Sequence, residues 1–252
     1  MLPLNPLAPV TDYQSMLNRI FWFTTAAALA SVWLLRMYVP AADALLAKVD
    51  AAWTVDSGKN LSTTAGYLLP ALAVGIGFRV FRIHAKVSDW LGIRECFDLD
   101  VILADMAEQL NIDLAQFDRT LLRRARHGLM RKAFYPFVSG SQAPIDQQLI
   151  LQALDAWSWF WVGVEATLVF ALAAFGLIAF HVYAVGFQIL AASAAFAMIG
   201  LPAIRNQCRR FAIAQVRAIL EESTRSATVY HAFAEAYGAS QKYGVDERRR
   251  AA

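Results

Sequence analysis

Charge and cysteine are both scarce in this chain of 252 residues. Only 17% of the residues are charged and 58% are hydrophobic, whereas an ordinary soluble domain carries about 25% charge. A soluble fold of this size needs more charge on its surface, so the composition excludes a disordered chain and a plain soluble enzyme. Two cysteines are too few for a disulfide scaffold. The composition instead favours a polytopic membrane protein.

Recognisable catalytic and metal-binding patterns are also absent from the sequence. The four histidines are scattered, with no HExxH or HxxxH spacing, and no G-x-S-x-G, P-loop or CxxC occurs. Enzymes and metal proteins need such groups brought together in one site. The sequence therefore predicts no catalytic residue, no metal site and no cofactor, and it favours a protein that is not an enzyme.

Long apolar runs are what the chain does contain. A helix of about 20 apolar residues crosses the roughly 30 Å of bilayer hydrocarbon, and four stretches have that length, the second weakened by Pro70. The predicted fold is an all-α integral membrane protein with four transmembrane (TM) helices and a cytoplasmic helical layer. The predicted segments are 1–18 (cytoplasmic), 19–39 (TM1), 40–60 (external loop), 61–81 (TM2), 82–156 (cytoplasmic helical insert), 157–183 (TM3), 184–204 (TM4) and 205–252 (cytoplasmic helix and tail).

The distribution of basic residues predicts the orientation. Residues 79–156 hold ten and the chain from 205 onward holds nine, so nineteen of the 23 lysines and arginines fall on one side of the four spans. By the positive-inside rule that side is cytoplasmic and both termini are inside. Without a visible targeting sequence, we expect the bacterial cytoplasmic (inner) membrane. The alternative, a signal peptide within residues 1–44, is disfavoured by Arg36 after the apolar run.

The predicted insert between the second and third spans separates its charges into two blocks. Residues 95–118 hold seven acidic side chains and no basic ones. Residues 119–132 hold six basic side chains and no acidic ones. One interpretation is a basic helix face that binds an anionic ligand or a soluble cytoplasmic protein, with nucleic acid not expected. The other is that the two helices pair with each other. The basic residues are Arg119, Arg123, Arg124, Arg126, Arg131 and Lys132.

The C-terminal part reads as one helix over residues 205–237. Apolar and small residues recur there at alternating three- and four-residue steps, as in a coiled coil. This pattern predicts a homo-oligomer, or alternatively packing against the insert of the same chain. The residues proposed for oligomerisation are Ile213, Val216, Leu220, Ala227, Tyr230 and Tyr237.

Glu165 is the only acidic residue within a predicted span. A charge at the bilayer centre costs about 3 kcal/mol or more, so an acid there is a functional candidate. Glu165 could line a pore or ion path and bind a proton, or it could hydrogen-bond Thr167 or a neighbouring helix. Arg36, near the outer end of the first span, is expected to snorkel to the interface.

Three functions follow as hypotheses. The leading one is a non-enzymatic oligomeric membrane protein whose cytoplasmic layer senses a ligand or partner and whose spans alter permeability, as a channel or membrane effector. The second is a membrane anchor that recruits a soluble partner. The third is a transporter or an intramembrane enzyme subunit.

Overall fold

The computed structural model describes residues 7–57, 62–114, 119–139 and 143–250, and side chains within 7–52, 65–114, 119–139 and 143–238. Across these residues the fold is all-helical and contains no strand, which confirms the predicted class. In chain order, the α-helices are α1 (Tyr13–Tyr38), α2 (Pro40–Ser57), α3 (Ser62–Val80), α4 (Ile83–Trp90), α5 (Ile93–Phe97), α6 (Ala104–Gln109), α7 (Arg119–Leu129), α8 (Tyr135–Val138), α9 (Gln147–Ala179), α10 (Tyr183–Ala195), α11 (Leu201–Leu220) and α12 (Ser223–Arg250).

The chain divides into two compact units. The first, which we call the apolar unit, comprises Met1–Lys86 and Leu154–Asn206. The second, the polar unit, comprises Val87–Ala153 and Gln207–Ala252. The apolar unit contains the predicted spans, and the polar unit contains most of the predicted cytoplasmic layer.

Three helices in the described chain are long and apolar enough to cross a membrane. They are α1, α9 and the run from Tyr183 to Leu220 that joins α10 to α11. The helix α3 meets the same test only together with α4, from which it is bent by 53°. Three of the four predicted spans thus coincide with helices of sufficient length and apolar character, and the second predicted span falls on the bent pair.

The first helix begins earlier than predicted, at Tyr13 instead of residue 19. Asp12 is its N-cap: the backbone N–H of Ser15 donates to Asp12 Oδ1 at 2.6 Å, and the Ser15 hydroxyl accepts from the Asp12 N–H. This reciprocal pair satisfies two backbone donors that a helix start leaves free. It places a further turn of helix ahead of the apolar run.

The predicted external loop at 40–60 is wrong as a loop, because its described part forms α2. Pro40 occupies the first helical position, where its missing N–H carries no penalty, and Asp43 lies in the first turn. The segment is rich in alanine, the strongest helix former. α2 packs against both α1 and α3.

The fourth apolar helix does not end at residue 204 as predicted. A π-helical turn, Phe196–Gly200, joins α10 to α11, which contains Pro202 and runs on to Leu220. Proline lacks the N–H that would bind the carbonyl four residues earlier, so it disturbs a regular helix. A π turn beside it changes the local hydrogen-bond register and lets the helix continue.

The C-terminal segment is two helices, and the prediction of one continuous helix over 205–237 is wrong. α11 ends at Leu220 and α12 begins at Ser223. The Arg225 guanidinium donates to the carbonyls of Ala218 and Ile219 at 3.0 and 3.1 Å. The side chain thereby satisfies carbonyls that the end of α11 leaves without helical partners.

The insert is helical, as predicted, within its described residues. The helical spacing of Leu99, Ile102, Leu103 and Met106 predicts one buried face, and all four are buried in the first part of the insert, which runs through α5, a π-helical turn (Asp98–Leu103) and α6. The apolar spacing after it predicts a second helix from residue 114, observed as α7 followed by the π turn Met130–Phe134. A cap formed by Asp113 with Gln116 is also predicted there, and Gln116 lies outside the described residues.

Candidate functional site

Buried polar side chains mark the face of α1 within the apolar unit. Asn18, Arg19, Thr24, Thr25 and Ser31 are all buried on this otherwise apolar helix. Buried polar groups are costly unless they are hydrogen-bonded. Their partners therefore define the candidate site.

Glu165 on α9 is the centre of this site, with only 2% of its surface exposed. The Thr24 hydroxyl, which is fully buried, donates to Glu165 Oε2 at 2.6 Å. That length is typical of a hydroxyl bound to a carboxylate. Of the two structural partners predicted for Glu165, the neighbouring helix is correct and Thr167 is wrong, because Thr167 donates to the Gly163 carbonyl of its own helix at 2.7 Å.

His84 supplies the second neighbour of the carboxylate. Its Nδ1 lies 3.6 Å from Glu165 Oε1, and its ring packs edge-on against Trp161 at 6.0 Å between centroids. The separation is beyond a direct hydrogen bond but within ion-pair distance. His84 reaches this position because the chain bends between α3 and α4, where Arg82 adopts the left-handed conformation with φ 51°.

A second buried contact joins α1 to α9 nearer their N-terminal ends. Arg19 Nη1 donates to Asp155 Oδ1 at 2.6 Å and to Ser158 Oγ at 2.7 Å, and Nη2 donates to the Ala8 carbonyl at 2.8 Å. The guanidinium also lies over the Trp159 ring at 5.0 Å. Only 4% of the Arg19 side chain is exposed, against 41% for Asp155.

The acceptors on α9 share one helical face. Asp155, Ser158 and Glu165 are separated by three and seven residues, which places them along one side of the helix. Ten residues of helix separate Asp155 from Glu165, a rise of about 15 Å. This polar face thus extends from the partly exposed Asp155 to the fully enclosed Glu165.

The opposite end of the apolar unit holds a different ion cluster. Arg36 contacts Asp43 and Asp50, each at 2.9 Å, and lies over the Tyr67 ring at 4.2 Å. Asp50 Oδ1 also accepts the backbone N–H of Gly66 at 2.5 Å. The expectation that Arg36 snorkels is therefore wrong, because it is the ion-paired junction of α1, α2 and α3.

The basic residues of the insert largely pair with acidic ones inside the polar unit. Arg123 donates to Glu95, Arg126 lies 3.7 Å from Asp98, and Arg119 lies 3.6 Å from Asp100. Lys132 contacts Glu235 at 2.6 Å. The alternative that the two charge blocks pair with each other is therefore observed for Arg119, Arg123 and Arg126, whereas Lys132 pairs with an acid of α12. Arg124 and Arg131 are exposed on the same segment.

Asp98 is the buried member of these pairs. Burial raises its pKa to about 6, and the nearby Arg94 and Arg126 act in the opposite direction. One of its carboxylate oxygens, Oδ2, has no hydrogen bond within the described residues. The carboxyl therefore gives the polar unit a titration near neutral pH.

The residues predicted for oligomerisation do not form one seam. Val216 is buried within the chain, whereas Ala227 and Tyr230 are exposed. The intervening break at 221–222 changes the direction of the face, and α12 buries Val229, Ala232 and Phe233 instead. α12 packs on α7 and on the π turn that follows it, as the alternative prediction proposed. The remaining three, Ile213, Leu220 and Tyr237, are half-buried.

A shallow groove of about 540 Å³ lies in the polar unit, where α11 gives way to α12. Arg217, Glu221 and Ser226 supply its polar lining, and Leu110, Ala214 and Leu220 its apolar lining. Among the described residues, no group of three or more His, Cys, Asp or Glu side chains is arranged to hold a metal ion.

Sequence reasoning found Glu165 but missed Thr24 and His84. The threonines at 24 and 25 interrupt the first apolar run, and that interruption is a usable sign of a buried polar face. His84 gives no such sign, because it follows the second span in a stretch that reads as a connector. Only the bend at Arg82 brings it to the carboxylate.

The chain matches the family model described as the YmfE protein family over residues 12–231. Because this match covers most of the sequence, the chain belongs to that family. No curated protein and no solved structure matches it.

Proposed function

We propose that this member of the YmfE family is a non-enzymatic, oligomeric protein of the bacterial inner membrane whose apolar helices alter permeability, with protons as the permeant species. Four spans cross the bilayer: α1, the bent pair α3–α4, α9 and α10 with the start of α11. Both termini and the polar unit lie in the cytoplasm, where the polar unit senses a ligand or partner. The positive-inside distribution of basic residues and the three long apolar helices support this arrangement.

The observation that carries the proposal is the enclosed Glu165 with a hydroxyl donor on one oxygen and an imidazole beside the other. Ionisable groups within spans are expensive and typically mark ion or proton paths. A carboxyl and an imidazole can each hold or release one proton. A separation shorter than the observed 3.6 Å would bring the two groups into direct hydrogen-bond contact.

The polar face of α9 supports a route to this pair. Asp155 is partly exposed, Ser158 is buried against Arg19, and Glu165 lies further along the same face. In the proposed mechanism, protons enter beside Asp155 and reach the pair at Glu165 and His84. Movement of α4 about the bend at Arg82 then controls contact between His84 and Glu165.

Proton flux into liposomes tests this proposal. The purified protein is reconstituted with a pH-sensitive dye inside, and a potassium gradient with valinomycin drives protons inward. We expect flux in the wild type and a decrease of roughly tenfold or more in Glu165→Gln, which keeps the shape but removes the titrating group. Glu108→Gln, an exposed acid of the polar unit, is the matched control and should leave flux unchanged.

The absence of flux at every pH and potential tested, or equal flux in the wild type and Glu165→Gln, would contradict the proposal. Flux that requires a solute and saturates with its concentration would instead favour the transporter hypothesis.

Recruitment of a soluble partner is the second candidate, favoured by the exposure of the basic residues on α7. The Arg119 and Arg123 side chains are 82% and 62% exposed, and exposed ion pairs contribute little to stability. An acidic partner could therefore displace Asp100 and Glu95 at low cost. Arg119→Glu with Arg123→Glu should abolish partner co-purification without changing membrane insertion. Unchanged co-purification would count against recruitment through this face.

A further inference from the structure

The run from α10 into α11 is the least covered of the three long apolar helices. Only 11% of its apolar stretch is buried, against 44% in both α1 and α9. Its exposed residues include Phe187, Met198 and Ile199. Contact with lipid explains an exposed helix surface that is entirely apolar.

Gln188 is the exception on this surface. It is exposed near the beginning of α10, and no described residue hydrogen-bonds its side-chain amide. In hydrocarbon an amide without a partner costs several kcal/mol. The side chain is long, uncharged and flanked by apolar residues on both sides, so the helix carries a hydrogen-bonding group on its outer face.

The neighbours of Gln188 on that face are small. Ala184, Ala191 and Ala195 lie four residues before, three after and seven after it, and all three are exposed. These steps place the four residues on one narrow face of the helix. Small side chains at such positions allow two membrane helices to approach closely.

We propose that this face binds the same face of a second copy, with the two Gln188 amides hydrogen-bonded to each other. The inference rests on the proposed membrane insertion and assigns a surface to the proposed oligomer. Two copies inserted in the same orientation and related by a two-fold axis place identical residues at equal depth. A primary amide carries both donors and acceptors, so it is complementary to itself. A different partner would need its own polar group at the same depth.

The buried side of the same helix contacts α9, which carries Glu165. A Cβ added to Gly163 would lie 2.9 Å from Leu201 Cδ2 and 3.1 Å from Phe196 Cε1. Gly163 is two residues from Glu165, so the π turn and the start of α11 pack on α9 at the level of the candidate site but on another side of the helix.

Native mass measurement in nanodiscs of phosphatidylethanolamine and phosphatidylglycerol tests the surface. We expect a dimer for the wild type and association weakened about tenfold in Gln188→Leu, since one interhelical hydrogen-bonding pair contributes 1–2 kcal/mol. Gln188→Asn should retain more association than Gln188→Leu. Ala191→Phe should prevent close approach and also yield a monomer.

Crosslinking in membranes supplies a second readout that does not depend on removing the amide. Ala191→Cys should give a covalent dimer with a short bifunctional reagent, and Leu172→Cys, also exposed but on α9, should not. The wild type, which contains only the native Cys96 and Cys208, is the control for crosslinking through those two residues.

A wild type that is monomeric, or a dimer unaffected by Gln188→Leu and Ala191→Phe, would overturn the inference. Extraction of the chain from membranes by alkaline carbonate would instead overturn the proposed membrane insertion. The mass measurement therefore tests the proposed dimer surface, and the extraction separately tests the membrane insertion on which the proposed function depends.

Discussion

The two units handle polar groups in opposite ways. The apolar unit encloses a few of them, and Arg19, Thr24 and Glu165 each have a defined partner on another helix. The polar unit displays many charges, and most of its ion pairs are exposed. Enclosed groups are expensive to leave unpaired, whereas exposed pairs contribute little. We therefore expect function to depend on a few individual residues in the apolar unit. In the polar unit we expect it to depend on the combined charge of many residues.

Asp155→Ala should give the largest loss of stability. It leaves the Arg19 guanidinium, only 4% exposed, without its carboxylate. Removal of one partner of a fully buried ion pair costs about 3–5 kcal/mol, and the 41% exposure of Asp155 places this loss at the lower end of that range or below it. Thermal and denaturant unfolding in detergent measures the loss, with the exposed Asp100→Ala as the matched control. A loss below about 1 kcal/mol would show that this contact is no stronger than a surface pair.

Asp98 should make the polar unit less stable as pH rises from about 4 to about 6. Its pKa is about 6 in the fold and 3.8 in the unfolded reference, so the fold binds the proton more tightly. Stability from this group is present at low pH and lost through that window, by up to about 3 kcal/mol. Asp98→Asn mimics the protonated form, so it should stabilise the protein at pH 7 and have little effect at pH 4.

Unfolding of Asp98→Asn at both pH values checks this sign, with Asp100→Asn, two residues away and exposed, as the matched control. An Asp98→Asn protein that is less stable than wild type at pH 7 would contradict the expectation.

Two glycines of α3 sharpen the contrast between enclosed and open positions. A Cβ on Gly66 would lie 2.7 Å from Asp50 Oδ1 and 2.9 Å from Arg36 Nη1, whereas one on Gly77 would meet nothing within 4 Å. Gly66→Ala should destabilise by about 1–3 kcal/mol because it displaces the ion cluster. Gly77→Ala should stabilise by up to about 1 kcal/mol because alanine favours helix. Equal effects of the two substitutions on the unfolding midpoint would contradict this reading of the cluster.

Arg123→Gln should have the smallest effect. Its pair with Glu95 is exposed, and such pairs contribute little to stability. The loss of stability should shrink further in high salt, because screening weakens interactions between exposed charges. A loss as large as that of Asp155→Ala in the same unfolding measurement would mean that the polar unit depends on individual pairs after all.

The sequence predicts features that depend on composition and on the spacing of apolar residues. Apolar length predicts α1 and α9, helical spacing predicts the buried face from Leu99 to Met106, and an acid within an apolar run identifies Glu165. Opposite charge blocks also predict the pairing seen for Arg123 and Arg126. Each of these signals is local, or requires only that two helices meet.

Features that depend on contacts between distant residues cannot be predicted from local sequence patterns. His84 reaches Glu165 only through the bend at Arg82. The break after Leu220 contains no proline or glycine, and it is capped by Arg225 from the following helix. The helix α2 is a different case, because its alanines are a local signal that favours a helix over the predicted loop. For His84 and for the break after Leu220, the deciding partner lies outside the local pattern.

A double-variant cycle on proton flux tests the central claim most directly. Flux into liposomes is measured for the wild type, His84→Gln, Glu165→Gln and the double variant. If both groups handle the same proton, the double variant should lose no more flux than the more damaging single variant. Losses that multiply, or no loss in either single variant, would contradict a shared proton path through Glu165 and His84.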